Sequence, residues 1–321
     1  MTKPLITHLY TADPSAHVFE DKIYIYPSHD LDHNNIADDS GDQYDMEDYH
    51  VFSMDAINSV PVDHGEVLHV KDVPWAAKQM WAPDAACKNG TYYFYFPAKD
   101  PDGIFHIGVA SSKSPAGPFK AEPGYIPGSF SIDPCSFVDD DGQAYLYIGG
   151  LWGGQLERWQ NGSYDPNGKE PANDQPALGP RVSKLRADMC HLDSPLHEIK
   201  IVDQAGNPLL AGDHDRRFFE GVWVHKYTGL YYMSYSTGDT HYIVYATSQK
   251  PEGPFVYQGR ILNPVLGWTT HHSIVEFKGH WYLFHHDATL SGGVDNKRSV
   301  KVAELFYNPD GTIRLVEPDK Q

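Results

Sequence analysis

Apolar and polar positions alternate with a period of two along much of the chain, as in His106-Ile107-Gly108-Val109-Ala110 and Tyr242-Ile243-Val244-Tyr245-Ala246. A period of two puts successive side chains on opposite faces of a strand, and no long stretch with a period of 3.6 competes with it. The strands recur as a weak repeat: an acidic or polar opening, an apolar strand, a turn, then an aromatic-rich strand. Copies start at Ala16, Pro83, Pro134, Gly221 and Ser273. The second turns on Asn89-Gly90 and the third on Asp141-Gly142, both strong hairpin signals. Two further phrases, Ser112 to Phe119 and Ser248 to Phe255, share the spelling Ser-x-x-Pro-x-Gly-Pro-Phe. A hairpin plus additional strands, iterated five times, predicts an all-β fold: a five-bladed β-propeller, each blade a four-stranded antiparallel sheet. The alternative is a β-sandwich whose hairpins merely look alike. Residues 1–321 are read as a single catalytic domain.

Composition narrows the functional classes. Aromatic residues make up 13 % of the 321 positions, so the chain has the means to build a large core. A formal net charge of −18 opposes sustained contact with phosphate backbones or anionic lipid heads, which argues against nucleic acid and membrane as partners. Cys87, Cys135 and Cys190 form no paired motif and read as small buried thiols. The first residues lack the apolar core of a signal peptide, giving a cytoplasmic expectation. Irregular stretches, Trp159 to Pro180 and the acidic Asp30 to Asp48, read as surface loops, the second as a solvated face without EF-hand spacing.

In a propeller the innermost strand of each blade lines a central channel, so residues that open the repeats converge on one axial pocket. Three carboxylates stand at such openings: Asp13 in Ala12-Asp13-Pro14-Ser15, Asp133 in Ile132-Asp133-Pro134, and Glu220 in Phe219-Glu220-Gly221. A following proline favours an extended or turn conformation at each aspartate, and Gly221 lets backbone approach a ligand. Converging carboxylates are what cleavage of a glycosidic bond requires.

These motifs, with Trp81-Ala82-Pro83-Asp84, Phe137-Val138-Asp139-Asp140-Asp141-Gly142 and Tyr231-Tyr232-Met233-Ser234-Tyr235-Ser236, resemble glycoside hydrolase family 43 from about Asp13 to Val302, closest to its β-xylosidase branch. The resemblance implies a five-bladed propeller acting on β-xylosides or α-L-arabinofuranosides with inversion. It matches Asp13 to the general base, Glu220 to the general acid, and Asp133 to the residue that orients the acid and tunes its pKa. Inversion needs room for a water, with the two carboxyls roughly 6.5–9.5 Å apart. A carboxylate beside Glu220 raises its pKa, so that it can donate a proton near neutral pH.

Supporting groups follow the same placement. Arg298 matches an arginine that reaches the sugar or the base; a surface arginine of a hairpin is the other reading. Trp81 offers a flat apolar face to a pyranose ring. Asp84 opens the second repeat and is placed in the pocket wall without a catalytic task. The family resemblance gives His272, in Thr270-His271-His272-Ser273, contact with a divalent cation on the axis, Ca²⁺ foremost, whose other ligands are mainly waters. Alternatively His272 hydrogen-bonds a carboxylate or fills the pore. Asp139-Asp140-Asp141-Gly142 is explained by turn chemistry. His286-Asp287 and Asp213-His214-Asp215 receive no role. The expected reaction is exo-acting release of xylose from short β-1,4-xylo-oligosaccharides, with arabinofuranosidase or dual activity as the nearest alternative and a carbohydrate-binding propeller as the non-enzymatic one. Oligomeric state is left open.

Overall fold

The computed structural model describes residues 3–33, 37–38, 40–268 and 271–318. Blade one contains β1 (Tyr10–Phe19), β2 (Lys22–Asp30), β3 (Asp48–Met54) and β4 (Val62–His69). Blade two contains β5 (Asp84–Lys88), β6 (Thr91–Lys99), β7 (Phe105–Ser112) and β8 (Lys120–Ala121). Blade three contains β9 (Cys135–Val138), β10 (Ala144–Ile148), β11 (Arg181–Lys184) and β12 (His197–Glu198). Next come β13 (Ile201–Val202), β14 (Glu220–Tyr227), β15 (Leu230–Ser236), β16 (Ile243–Ser248) and β17 (Phe255–Leu262) in blade four. Blade five holds β18 (His272–Phe277), β19 (His280–Asp287) and β20 (Ser299–Leu305).

Strand neighbours follow chain order within each blade, as an up-and-down antiparallel sheet requires. Blade four adds β13, which runs parallel to the outer strand β17, and blade five has three strands among the described residues. The inner strands touch in a closed cycle: β1 meets β5 and β18, β5 meets β9, β9 meets β14, and β14 meets β18. The N-terminal segment seals the ring, with Leu5 N–H donating to the Val300 carbonyl at 2.8 Å and Thr11 N–H to that of Arg298 at 2.9 Å. Blade one is thereby fastened to blade five.

Four inner hairpins turn on two residues that both have positive φ: Glu20 and Asp21, Asn89 and Gly90, Thr228 and Gly229, Lys278 and Gly279. That backbone matches the right-handed twist of paired strands, which is why the repeat is audible in the sequence. The Ser-x-x-Pro-x-Gly-Pro-Phe phrases occupy equivalent places, joining β7 to β8 and β16 to β17. Aromatic residues fill the space between blades. Tyr26 of blade one packs on Phe94 and Phe119 of blade two, with ring centroids 5.8 and 6.4 Å apart. Ile25 and Phe52 share a cluster with Phe284 and Val300 of blade five. Each such side chain contributes about 1.5–3 kcal/mol on burial, so stability is distributed around the ring.

Cys87, Cys135 and Cys190 are free thiols. Among the described residues no helix is long and apolar enough to cross a membrane.

Candidate active site

Two of the three carboxylates owe their direction to backbone outliers. Asp13 and Asp133 both adopt left-handed backbone, with φ of 49° and 55°. This departs from the extended or turn geometry expected before proline, and such a conformation costs about 1–3 kcal/mol at a non-glycine residue. At Asp13 it accompanies a register shift between Ala12 and Ser15, and Gly221, with φ of 68°, lies in the corresponding shift between Glu220 and Trp223. A bulge re-aims side chains that a regular strand would send to its two faces. Asp13, Asp133 and Glu220 all line one cavity of about 300 Å³, together with Trp81, Arg298 and His271. That is the small end of the usual range for ligand pockets, about 300–1,000 Å³, and suits one sugar ring.

Asp13 is surrounded by donors and positive charge. The Ser28 hydroxyl donates to its Oδ2 at 2.5 Å, Arg298 Nη1 lies 3.2 Å from Oδ1, and His286 and His271 Nδ1 lie 3.5 and 3.7 Å from Oδ1. Its own N–H donates to His286 Nδ1 at 2.9 Å, which fixes that ring. Burial opposes ionisation here, but the Arg298 guanidinium foremost, with the Ser28 hydroxyl, outweighs it and holds the carboxyl below its ordinary value. Asp13 is therefore ionised at neutral pH.

Glu220 and Asp133 are pushed the other way. Burial first, and then the negative charge of Asp13, lift Glu220 to about 8 against the pull of Arg298. Burial, Glu220 and Asp13 lift Asp133 well above the ordinary carboxylate range, although the Gly221 N–H donates to its Oδ2 at 2.8 Å. Two buried carboxyls in one negative environment retain a proton between them at neutral pH. Glu220 Oε1 is buried without a hydrogen-bond partner, in a side chain that lines the cavity. His271 Nδ1 lies 4.0 Å from Asp133 Oδ2 as well as near Asp13, and burial lowers its pKa, so it sits neutral between the two aspartates.

Arg298 is not a surface residue of a hairpin. Its side chain is 2 % exposed, with Nε and Nη2 donating to Asp30 Oδ2 and Oδ1 at 2.9 and 2.7 Å. Trp81 stands in the cavity wall, its indole N–H donating to the Tyr44 carbonyl at 2.7 Å. Gly41 makes that placement possible, because a Cβ there would fall 2.5 Å from the Trp81 ring.

Asp84 does not reach the cavity. Its Oδ1 accepts from the Ser15 hydroxyl and lies 2.7 Å from His17 Nε2, while Oδ2 accepts from the Ser136 hydroxyl at 2.7 Å and from the Ser136 N–H. It joins the inner strands of blades one, two and three. No register shift turns β5 at Asp84, so the carboxylate keeps the regular direction of its strand. The Asp30 to Asp48 stretch is also more than a solvated face: Asp30 ends β2 beneath Arg298, and Gln43, Tyr44 and Met46 are buried in the cavity wall. Residues 34–36 and 39 of that stretch lie outside the described residues, as does Thr270.

His272 lies outside the cavity lining. Its Nε2 is 2.6 Å from the Ser234 hydroxyl, its Nδ1 is buried without a hydrogen-bond partner, and burial keeps the ring neutral. A neutral imidazole with a spare lone pair fits as one ligand of a cation. The remaining ligands of a hard ion such as Ca²⁺ would be oxygens, including waters.

Several lining residues escaped the sequence analysis. Trp152 and Trp268 stack at 6.2 Å with an 18° interplanar angle, and Phe219, Tyr44 and His271 complete the wall. Trp152 is anchored by its indole N–H to Glu170 Oε1 at 2.6 Å, which brings the loop after residue 159 into support of the site. The available signals were the Gly149-Gly150 and Gly153-Gly154 pairs that flank Leu151-Trp152, and the His271-His272 pair. Asp139-Asp140-Asp141-Gly142 is a hairpin turn, closed by Gly142 N–H to the Asp139 carbonyl at 2.8 Å.

Comparison with known proteins fits this geometry. The profile of Glycosyl hydrolases family 43 matches residues 2–313. The chain is 60 % identical to Xylosidase/arabinosidase 43A of Humicola insolens, over 98 % of this chain and 99 % of that one. It is 48 % identical to a Beta-xylosidase of Xylanibacter ruminicola, over 96 % and 97 %. A crystal structure of a GH43 beta-xylosidase/alpha-arabinofuranosidase from a compost microbial metagenome, in complex with xylotriose and in a calcium-free form, superposes with a TM-score of 0.97. It is 60 % identical, over 99 % of this chain and 97 % of that chain. The chain is a glycoside hydrolase and belongs to Glycosyl hydrolases family 43.

Proposed function

We propose that this hydrolase is an inverting β-xylosidase that releases xylose from the non-reducing end of short β-1,4-xylo-oligosaccharides. The observation that carries the reading is the opposed protonation within one cavity: an ionised Asp13 beside a carboxyl pair, Glu220 and Asp133, that holds a proton. In this reading Asp13 takes a proton from water, whose oxygen attacks the anomeric carbon. The bond to the leaving oxygen breaks with its electron pair, and Glu220 delivers a proton to that oxygen. Solvent exchange then reprotonates Glu220 and deprotonates Asp13.

Asp133 takes the part of orienter, since its bond to the Gly221 N–H fixes the backbone immediately after the acid. Arg298 steadies Asp13, and Trp81 supplies an apolar face for the sugar. A divalent cation held through His272 would supply positive charge when bound. The relatives' printed activities pair xylosidase with arabinosidase, so a second activity on α-L-arabinofuranosides accompanies the first in this proposal.

The test is release of 4-nitrophenol from its β-xyloside and α-L-arabinofuranoside, with proton NMR of the first-formed sugar. Expected are α-xylose as the first anomer and a loss of at least about 10³-fold in kcat for Asp13→Ala. First formation of β-xylose would overturn the inverting assignment.

A further inference from the structure

Outside the cavity lining, blade one gathers a second set of donors that the proposed reaction does not use. His29 is the penultimate residue of β2, and Asp48 and His50 are the first and third of β3. One ring nitrogen from each histidine and one Asp48 oxygen all lie within 4.8 Å of one another. His29 Nδ1 contacts Asp48 Oδ1 at 2.5 Å, and the rings of His29 and His50 meet edge to face with centroids 5.4 Å apart. The backbone is irregular at this point, with register shifts on both sides of His50 where β3 pairs with β4.

The geometry points to a site for a d-block divalent cation, of which Zn²⁺ is the type, held by His29, Asp48 and His50 and completed by water. Two imidazoles and one carboxylate suit such an ion, whereas Ca²⁺ prefers six to eight oxygens. The outer ring of partners is also in place. Asp63 Oδ1 lies 3.1 Å from His50 Nδ1, and an ionised carboxylate can only accept, so Nδ1 carries the proton and Nε2 presents the lone pair. Asp63 Oδ2 is in turn 2.8 Å from His8 Nε2, which fixes the carboxylate. A ligating histidine oriented by a carboxylate is the usual outer support of a bound metal.

Accessibility fits as well. The side chains of His29, Asp48 and His50 are 11, 14 and 18 % exposed, sheltered yet open to an entering ion. Bonds of about 2.0–2.2 Å need the three donors to draw together, which side-chain rotation supplies. The competing reading is a hydrogen-bonded network of histidines and aspartates without an ion. A bound cation would cross-link β2 and β3 next to Asp30, the residue that clamps Arg298.

The experiment uses the full chain without an affinity tag, stripped with chelator and exchanged into metal-free buffer. Zn²⁺ is followed by isothermal titration, and Co²⁺ by its visible d–d absorption. Expected are one equivalent of Zn²⁺ bound in His272→Ala, where the axial ligand is removed, Co²⁺ bands of a mixed nitrogen and oxygen site, and at least about tenfold weaker binding when His50→Ala or Asp63→Asn is added. His272→Ala should retain this site, as should a variant of the exposed His280. Circular dichroism checks the folding of each variant, and Asp48→Asn carries the same expectation if His50→Ala is unfolded. No Co²⁺ bands in the wild-type chain, or unchanged affinity in the folded variants, would overturn the site.

Discussion

Arg298 and Asp30 form a two-pronged buried ion pair, Nε to Oδ2 at 2.9 Å and Nη2 to Oδ1 at 2.7 Å, which leaves Nη1 3.2 Å from Asp13. The pair aims the guanidinium: with two nitrogens fixed by Asp30, the third faces the proposed base. Removing Asp30 leaves a buried cation half compensated, at a cost of about 3–5 kcal/mol. Asp30→Ala is therefore expected to lower the melting temperature and kcat together. A thermal melt alongside 4-nitrophenyl xyloside kinetics checks this, and an unchanged melt would show that Asp30 does not hold Arg298.

Glu220 as acid has a signature that depends on the leaving group. An activated aryl glycoside departs without protonation, whereas a sugar alkoxide does not. Glu220→Gln should cut kcat on xylobiose by about 10²–10⁴-fold and change kcat on 4-nitrophenyl xyloside far less. Equal losses on both substrates would remove Glu220 from the acid role.

The stacked Trp152 and Trp268 present aromatic surface to the cavity without a titratable group. Their contribution should be binding alone, so Trp268→Ala is expected to raise KM for xylobiose about tenfold with kcat nearly constant. Aromatic contacts of about 0.5–1.5 kcal/mol support that size. A fall in kcat at constant KM would place Trp268 in the chemistry instead.

What the chain spells out locally was readable, and what depends on distant partners was not. The hairpin turns at Asn89-Gly90, Thr228-Gly229 and Lys278-Gly279 are local signals, and the recurrence of the hairpin at spacings of tens of residues led to five blades. Asp13, Asp133 and Glu220 were found because each stands at a repeat opening. Position within the repeat misled at Asp84, whose opening lacks the left-handed residue that turns Asp13 and Asp133 into the cavity. Asp30 and His286 were passed over because their partners, Arg298 and Asp13, lie 268 and 273 residues away in the chain. The added strand β13 was equally silent: two residues are too short to show a period.

A cation at His272 has its own test. Nδ1 of His272 is buried and unpartnered, in a ring that burial keeps neutral, so an ion bound there would be lost on chelation. Dialysis against chelator should lower kcat and added Ca²⁺ should restore it, whereas His272→Ala should respond to neither treatment. Full activity in metal-free enzyme would leave His272 as a channel residue bonded to Ser234.

The pH profile joins the two halves of the proposed mechanism. Glu220 acts while protonated, and burial with the Asp13 charge has lifted it to about 8, so kcat/KM should fall as pH rises through about 8. Asp13 acts while ionised, and its pKa is held below the ordinary value, so the acid limb should lie below the range of an ordinary aspartate. Ser28 donates to Asp13 Oδ2 at 2.5 Å and favours the ionised form. Replacing it by alanine removes that bond without touching Glu220, so the acid limb should move upward while the basic limb stays in place. Kinetics of Ser28→Ala between pH 3 and 9 decide the matter. A shift of the basic limb alone would mean that Asp13 and Glu220 have exchanged roles.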